Sequence, residues 1–343
     1  MEGVVTRIRS VLCEVDAEGS SYTCTARGRL IESDTGESKP LAVGDRVVFE
    51  PTEADEGVIE KVLPRHTKLS RRLPRDVHTE HVIVANVDRL LIVASVRKPP
   101  LTAGIIDRYV IAGEAGGLEP VICINKTDLA EDESEYRHVV AAYEDLDYPV
   151  LLTSATQRVG LEALKDVLRG KSTVLAGHSG VGKSSLLNAI QPGLALRTAP
   201  VSTKGRHTTS SVSLLKLEIG GYVVDTPGIR EFTLWEIEKH EVAQFFPRIW
   251  ELSHECRMPD CVHTHEPDCA VKRALERGEL SRWRYESYLR ILESVETPEV
   301  PRATDVEEPE EQISRHKRVP SRRKRRQDLG RRARRELAEE DEE

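Results

Sequence analysis

Residues 177–186 read GHSGVGKSSL, after the apolar run STVLA and before LNAI. No other stretch restricts the fold as much. The pattern G-x-x-x-x-G-K-S describes a loop whose backbone N–H groups turn inward around a phosphate chain. Such a loop needs glycines, because a Cβ would obstruct its tight turns. Gly177, Gly180 and Gly182 meet that need. The loop must leave a buried strand and enter a helix whose N-terminal dipole faces the anion. Here an apolar run precedes it and a helix-forming run follows. Lys183 is placed to reach the β- and γ-phosphates and Ser184 to ligate Mg²⁺. His178, Ser179, Val181 and Ser185 complete the expected phosphate-binding set.

The neighbouring segments agree with an α/β unit. Residues 69–235 alternate strand-like and helix-like runs: HVIVANVDRLLIVASV and PVICINK are apolar and strand-like, and LEALKDVLRG has helical spacing and stops at Gly170. SLLKLEIGGYVVDTPG reads as two strands joined at Gly220 and Gly221. Alternation of this kind predicts a largely parallel sheet. Residues 1–68 read instead as short strands separated by Gly, Asp and Ser. Their number and length predict a small barrel of the oligonucleotide-binding (OB) type, or a β-module without a ligand of its own. Residues 236–295 are helical around a Cys/His cluster. From 296 to 343 the chain has almost nothing apolar to bury and is expected to be disordered.

The chain of 343 residues is 31% charged, with a formal net charge of -8. The mean hides strong local blocks. Residues 299–312 are acidic, 314–335 are basic, and the last eight residues are again acidic. No apolar run approaches the roughly 18 residues of a membrane span. The first residues, MEGVVTRIRSVLCEVD, lack the features of a secretory leader. A cytoplasmic location without membrane partners is expected, and the protein is expected to be a monomer.

Four further motifs bear on the nucleotide. VVDTPG delivers Asp225 from an apolar strand toward Mg²⁺, and Gly228 offers its N–H to a γ-phosphate. GRHTT (205–209) lies between the phosphate loop and that strand; Thr209, with Thr208 as the alternative, is placed to reach Mg²⁺. INKTDL follows a strand. Asp128 there can accept from the guanine N1 and N2 protons, for which adenine has no equivalent pair. Asn125 can bond the O6/N7 edge, Lys126 can pack over the ring, and Thr127 completes the motif. TSA (153–155) ends another strand, where the Ala155 N–H can meet O6; Ser154 is counted with it among the guanine-binding residues. A kinase or ATPase with a chance N-K-T-D is the competing reading, and DTPG and GRHTT argue against it. The guanine motifs come before the phosphate loop, an inversion of the usual order. Packed elements tolerate this where chain ends lie close together.

Water activation is less determined. Many nucleotide hydrolases place a Gln directly after D-x-x-G, but Ile229 stands there. His207 is the nearest catalytic candidate; the other reading is a surface loop residue. Some nucleotide hydrolases with an apolar residue after D-x-x-G use K⁺ and an Asn in the phosphate loop; Gly180 occupies that spot here, which argues against K⁺ activation.

Of six cysteines, Cys13, Cys24 and Cys123 sit singly in strand-like runs and read as buried apolar side chains. Cys256, Cys261 and Cys269 cluster with histidines at 254, 263 and 265. Three thiolates and one imidazole make a closed tetrahedral zinc site, structural rather than catalytic. Such a metal supplies folding energy that a short module lacks.

Basic residues gather at Lys68, Arg71, Arg72 and Arg75, and again at Arg322–Arg326 and Arg331–Arg335. Either these contact a nucleic-acid backbone or they are solvated segments balanced by nearby acid.

NKTD, TSA, GHSGVGKSSL, GRHTT and DTPG, in that order and with the cysteine cluster behind them, resemble the circularly permuted GTPases of the ribosome small-subunit-dependent type (RsgA/YjeQ). The resemblance covers roughly residues 1–295. It implies an OB-like barrel, a permuted P-loop GTPase domain and a C-terminal helical zinc module, with His263 as the fourth zinc ligand. It also implies hydrolysis of GTP to GDP that is slow alone and stimulated by the small subunit. The implied role is late-stage assembly of that subunit, with its rRNA as partner. A GTP-controlled RNA-binding protein acting elsewhere is the alternative.

Overall fold

The computed structural model describes residues 1–9, 11–28, 40–52, 55–73, 76–194, 212–225 and 237–296. Strands β1 (Glu2–Arg9), β2 (Leu12–Ala17), β3 (Ser20–Ala26), β4 (Arg46–Pro51) and β5 (Glu56–Val62) form the N-terminal module. Their residues alternate inward and outward, as a half-buried strand requires. Val5, Val15, Cys24, Val47, Phe49 and Ile59 meet inside. The strands run β1-β2-β3-β5-β4, and β4 returns to pair with β1. Closing the ring removes the unpaired edges that an open sheet would expose. The module is the expected five-stranded OB-like barrel.

A hairpin of β6 (Lys68–Leu73) and β7 (Asp76–Ala85) follows. Its base is tied to the barrel. Asn86 accepts from the His66 N–H at 2.9 Å and donates to the Gly44 carbonyl at 3.0 Å. Asp45, fully buried, accepts from Arg65 Nε at 2.7 Å and Nη2 at 2.8 Å, and from the Ala42 N–H at 2.8 Å. The Arg72 side chain and Arg75 lie outside the described residues, as does the basic tail. Lys68 and Ser70 both engage the buried Glu80 carboxylate.

The central sheet is built from β8 (Arg89–Ser95), β9 (Glu119–Asn125), β10 (Val150–Leu152), β11 (Ser172–Ala176), β12 (Ser213–Lys216) and β13 (Tyr222–Asp225). The order is β10-β9-β8-β11-β13-β12. All of these pair in parallel except β12 with β13. The sheet continues into the barrel through one pairing, Arg7 with Ser213.

Successive side chains of a strand point to opposite faces, and both faces here are covered. Leu91, Val93 and Leu175 pack against α3 (Leu161–Leu168) and α4 (Lys183–Ile190). Leu90, Ile92 and Val174 pack on the other side, under α1 (Ala103–Ala115) and α2 (Ser134–Glu144). The C-terminal helices α5 (Pro247–Ser253), α6 (Ala270–Glu276) and α7 (Arg282–Glu296) join that second core, with Phe246, Ile249, Val271 and Tyr288 fully or almost fully buried. Among the described residues no helix is long and apolar enough to cross a membrane.

Asp45→Ala would leave the Arg65 guanidinium, only 12% exposed, without its carboxylate. The expected cost is about 3–5 kcal/mol, the usual consequence of removing one partner of a buried pair. Urea denaturation of the two proteins measures it.

Candidate nucleotide site and metal centre

The phosphate loop runs from the end of β11 to the start of α4. Gly177 has φ 138°, Gly180 84° and Gly182 100°. A Cβ on Gly177 would stand 2.1 Å from the Val93 carbonyl oxygen, and one on Gly182 would stand 2.4 Å from Asn125 Nδ2. The loop therefore takes this path only with glycine at both positions. His178, Ser179 and Gly180 are exposed at its tip, Val181 is buried beneath it, and Ser184 and Ser185 begin α4. Lys183 Nζ folds back to the Gly177 carbonyl at 2.6 Å and the His178 carbonyl at 3.2 Å.

The guanine motif is fastened directly to this loop. Asn125, 1% exposed, ends β9. Its Nδ2 donates to the Val181 carbonyl at 2.9 Å, and its Oδ1 accepts from Thr153 Oγ1 at 3.1 Å. One buried amide thus joins three segments: N-K-T-D, T-S-A and the phosphate loop. Both ends are used by the protein, so the geometry gives Asn125 a tethering role before any contact with a base. Lys126 sits in the left-handed region at φ 61°. That turn sends Nζ to the Gly180 carbonyl at 2.6 Å and to the Lys98 carbonyl. Burial lowers the Lys126 pKa. Thr127 is held to the Thr153 carbonyl by its N–H and its hydroxyl. Asp128 Oδ1 accepts from Ser154 Oγ at 2.5 Å. Ser154 Oγ in turn accepts from the Gln157 N–H at 3.1 Å. The carboxylate is thereby oriented by a residue that is itself fixed. Ala155 follows at the mouth of the same turn.

Asp225 ends β13, and nothing is described of its side chain. His207, Thr208, Thr209, Gly228 and Ile229 lie outside the described residues. Sequence reasoning set Thr153 at the head of T-S-A but gave it no role; its buried hydroxyl donates to Asn125 Oδ1 and so joins that motif to N-K-T-D. That role leaves no signature in the sequence, because its partner lies 28 residues away.

The second cluster stands between α5 and α6. Cys256, Cys261, His263 and Cys269 each direct one ligand atom inward, and the four atoms lie within 4.8 Å of one another. His263 Nδ1 is 3.6 Å from Cys256 Sγ, 3.3 Å from Cys261 Sγ and 3.5 Å from Cys269 Sγ; Cys256 and Cys269 Sγ are 3.9 Å apart. Ligands about 2.3 Å from a tetrahedral ion are separated by about 3.7 Å. The donor set and its spacing could hold a zinc ion. His254 and His265 turn elsewhere: His254 Nδ1 lies 2.8 Å from the Trp250 carbonyl, and His265 Nδ1 lies 2.8 Å from Thr264 Oγ1.

The loop around these ligands is clamped. The Glu266 carboxylate accepts from the N–H groups of Val262, Thr264 and His265 at 2.9, 2.9 and 3.1 Å. Burial alone would raise its pKa, but these backbone donors outweigh it and the net shift is downward. Tyr285 donates to the His263 carbonyl at 2.6 Å and Tyr288 to the Val262 carbonyl at 2.9 Å. Burial lowers the His263 pKa, favouring the neutral imidazole that a metal requires. Burial, with Cys269 and Cys256 adding, pushes the Cys261 thiol up to about 12. Packed thiols of this kind ionise when a cation lies among them.

A parallel sheet with a phosphate loop on one strand and a guanine motif bonded to that loop from an earlier strand is the construction of a circularly permuted P-loop GTPase. Comparison with known proteins narrows this. The RsgA GTPase domain matches residues 62–235 and the RsgA N-terminal domain matches residues 2–59. A curated relative from Gemmatimonas aurantiaca, called small ribosomal subunit biogenesis GTPase RsgA, is 43% identical over 302 residues, spanning 85% of this chain and 97% of the relative. A relative of the same name from Thermotoga petrophila is 41% identical over 297 residues, spanning 84% and 95%. The crystal structure of YjeQ from Thermotoga maritima superposes with a TM-score of 0.67 at 39% identity, covering 86% of this chain and 98% of that one. YloQ, described as a circularly permuted GTPase, superposes at 0.64 with 33% identity, covering 86% and 94%. The chain belongs to the RsgA GTPase family.

Ser154→Ala removes the hydrogen bond that orients Asp128. A bond to a charged group contributes about 1.5–3 kcal/mol, so GDP affinity is expected to fall by about tenfold or more. Isothermal titration calorimetry measures it, and an unchanged affinity would remove Ser154 from the site.

Proposed function

We propose that this protein hydrolyses GTP to GDP and phosphate while acting in a late stage of small ribosomal subunit assembly, in contact with rRNA. The observation that carries the nucleotide reading is the Asn125 amide bridge, which puts the guanine motif and the phosphate loop at one mouth. The curated relatives, named for small-subunit biogenesis, support the ribosomal role.

Within that reading, Asp128 accepts the guanine N1 and N2 protons, with Ser154 holding its carboxylate. Lys126 and Thr127 shape the base pocket, Ala155 offers its N–H to O6, and Asn125 braces the pocket. The N–H groups of residues 177–185 cradle the phosphates, and Lys183 leaves the carbonyls it now touches to meet the β- and γ-phosphates. Gly228 adds an N–H at the γ-phosphate. Ser184, Asp225 and Thr209 or Thr208 would hold Mg²⁺, which neutralises phosphate charge when bound. His207 is assigned to orient the attacking water, since Ile229 has no group that can.

The four residues of the Cys/His cluster would hold one structural Zn²⁺. With all four donors supplied by protein, no coordination position remains for substrate. The division into a barrel at 1–68, a GTPase domain at 69–235, a zinc module at 236–295 and a charged tail beyond follows the same reading. Basic residues of the tail are proposed to meet rRNA phosphates. The protein is proposed to work as a cytoplasmic monomer.

Phosphate release is measured with small subunits, with large subunits and with neither. Stimulation by small subunits alone is expected; equal rates in all three would leave a GTPase without this ribosomal role. His207→Ala should lower the stimulated rate by about 10²-fold or more, the usual loss on removing a proton-handling or water-orienting group, with GDP affinity unchanged. Elemental analysis of the purified protein should find one zinc per chain. Cys269→Ser should lose it and melt at lower temperature.

A further inference from the structure

Helix α7 makes two sets of side-chain contacts on adjacent faces. Arg284 and Ser287 share one face, and Tyr285 and Tyr288 share the next, about 100° around the helix. On the first face Arg284 Nη1 and Ser287 Oγ both donate to the carboxylate of Asp107, a residue of α1 that is 2% exposed. Tyr143 Oη of α2 donates to the same carboxylate at 3.0 Å. Further along α7, Arg290 Nε stands 3.1 Å from where a Cβ on Gly104 of α1 would be, so the two helices stay close beyond that one contact. On the second face Tyr285 donates to the His263 carbonyl at 2.6 Å and Tyr288 to the Val262 carbonyl at 2.9 Å. Packed rings join the two faces. The Arg284 guanidinium lies 4.5 Å over the Phe246 ring, whose centroid is 5.5 Å from that of Tyr288, and Tyr288 is 6.0 Å from the His263 ring.

The four candidate metal ligands differ in what places them. Cys256 is tied to the end of α5 by its N–H to the Ser253 carbonyl, and Cys269 stands at the start of α6. Cys261 and His263 belong to no helix or strand. Their stretch of chain is fastened by the Glu266 carboxylate from within and by the two tyrosine hydroxyls from α7. The position of the His263 backbone, and with it the ring that carries Nδ1, therefore follows the azimuth of α7.

We propose that Asp107 is a positioning residue for the metal centre. It fixes α7 against α1, and α7 holds the loop of Cys261 and His263 at the spacing a tetrahedral ion needs. The C-terminal module then does not grip its ion as a self-contained finger; the grip depends on docking against the GTPase core. Because linkage is reciprocal, metal occupancy also bears on the seating of α7 against α1. The inference rests on the reading of the Cys/His cluster as a zinc site.

The test is the rate at which zinc passes from the full chain to an excess of a chromophoric chelator. Asp107→Asn is compared with a tyrosine pair, Tyr285→Phe with Tyr288→Phe, which keeps both rings and removes both hydroxyls, and with all three changes together. Asp107→Asn and the tyrosine pair should each speed release by about fivefold, the lower end of typical coupling between linked sites. The triple variant should release no faster than the tyrosine pair, since both act through the same contacts. Asp45→Ala, which destabilises the barrel, should leave release unchanged. With Co²⁺ in place of zinc, the ligand-field bands report the donor geometry, and Asp107→Asn should shift them in the wild-type background and not in the tyrosine pair. Multiplicative rates in the triple variant, or a lowered melting temperature with release and Co²⁺ bands unchanged, would reduce Asp107 to a packing role and overturn the proposal. Faster release from Asp45→Ala would do the same, because release would then follow overall stability. Ser287→Ala loosens Asp107 without removing a buried charge, so it gives the same cycle if Asp107→Asn does not fold. A wild-type chain that holds no zinc would instead overturn the metal-site reading itself, and this proposal with it.

Discussion

The nucleotide half of this protein depends on β11 lying in parallel between β8 and β13. Only a strand buried on both edges and both faces can end in a loop held to a single path. From β8 the loop receives the Val93 carbonyl that excludes a side chain at Gly177. From β13, its other neighbour, comes the strand that leads into D-T-P-G. From β9, one strand further over, comes the Asn125 amide. Strand adjacency makes a site of these parts, and adjacency is indifferent to the order in which the chain visits them. This is why the guanine motifs can precede the phosphate loop.

The permuted order changes what lies next to the chain's nucleotide-sensing segments. The D-T-P-G motif leads into the C-terminal module, which packs into the same core as α1 and α2. The module is not a separate bead on the GTPase domain. Its attachment includes the Asp107–Arg284–Ser287 contacts, and a buried ion pair of this kind is poor evidence of net stability. Desolvation cancels much of the attraction, while loss of one partner is costly. Such a pair fixes which way the elements sit. The Cys/His cluster lies further along the same module, and its loop is shaped by Glu266 from within and by Tyr285 and Tyr288 of α7 from outside. One helix thus supports both the metal loop and the anchor of α1.

Much of this was legible in the residues. The glycines of the loop announce their backbone because no other residue adopts it cheaply, and Gly177 and Gly182 do lie where a Cβ would clash. Alternating strand-like and helix-like runs foretold the largely parallel sheet; that its two faces are both covered, dividing Leu90 and Ile92 from Leu91 and Val93, came from the fold. The spacing of Cys256, Cys261 and Cys269 foretold a closed donor set. The spacing alone left three histidines in competition; the resemblance pointed to His263, and the fold sets its Nδ1 among the three sulfurs. Asn125 shows the limit from the other side. Its presence was clear, but its bonding to Val181 and Thr153 was not, because hydrogen bonds between segments 28 and 56 residues apart leave no periodic trace.

The sequence by itself determined the chemistry available: a phosphate loop, a guanine motif, a tetrahedral donor set and strands of the right period, each a local pattern enforced by backbone sterics or ligand geometry. The tertiary structure alone decided how these parts are coupled. It joined the barrel to the central sheet at Arg7 and Ser213, set the Asp128 carboxylate with Ser154, and tied α1 to α7 through Asp107 and Arg284. Those contacts lie between residues far apart in the chain. They arise when the faces of a sheet are covered and each buried polar group must find a partner. No local pattern specifies which partner that will be.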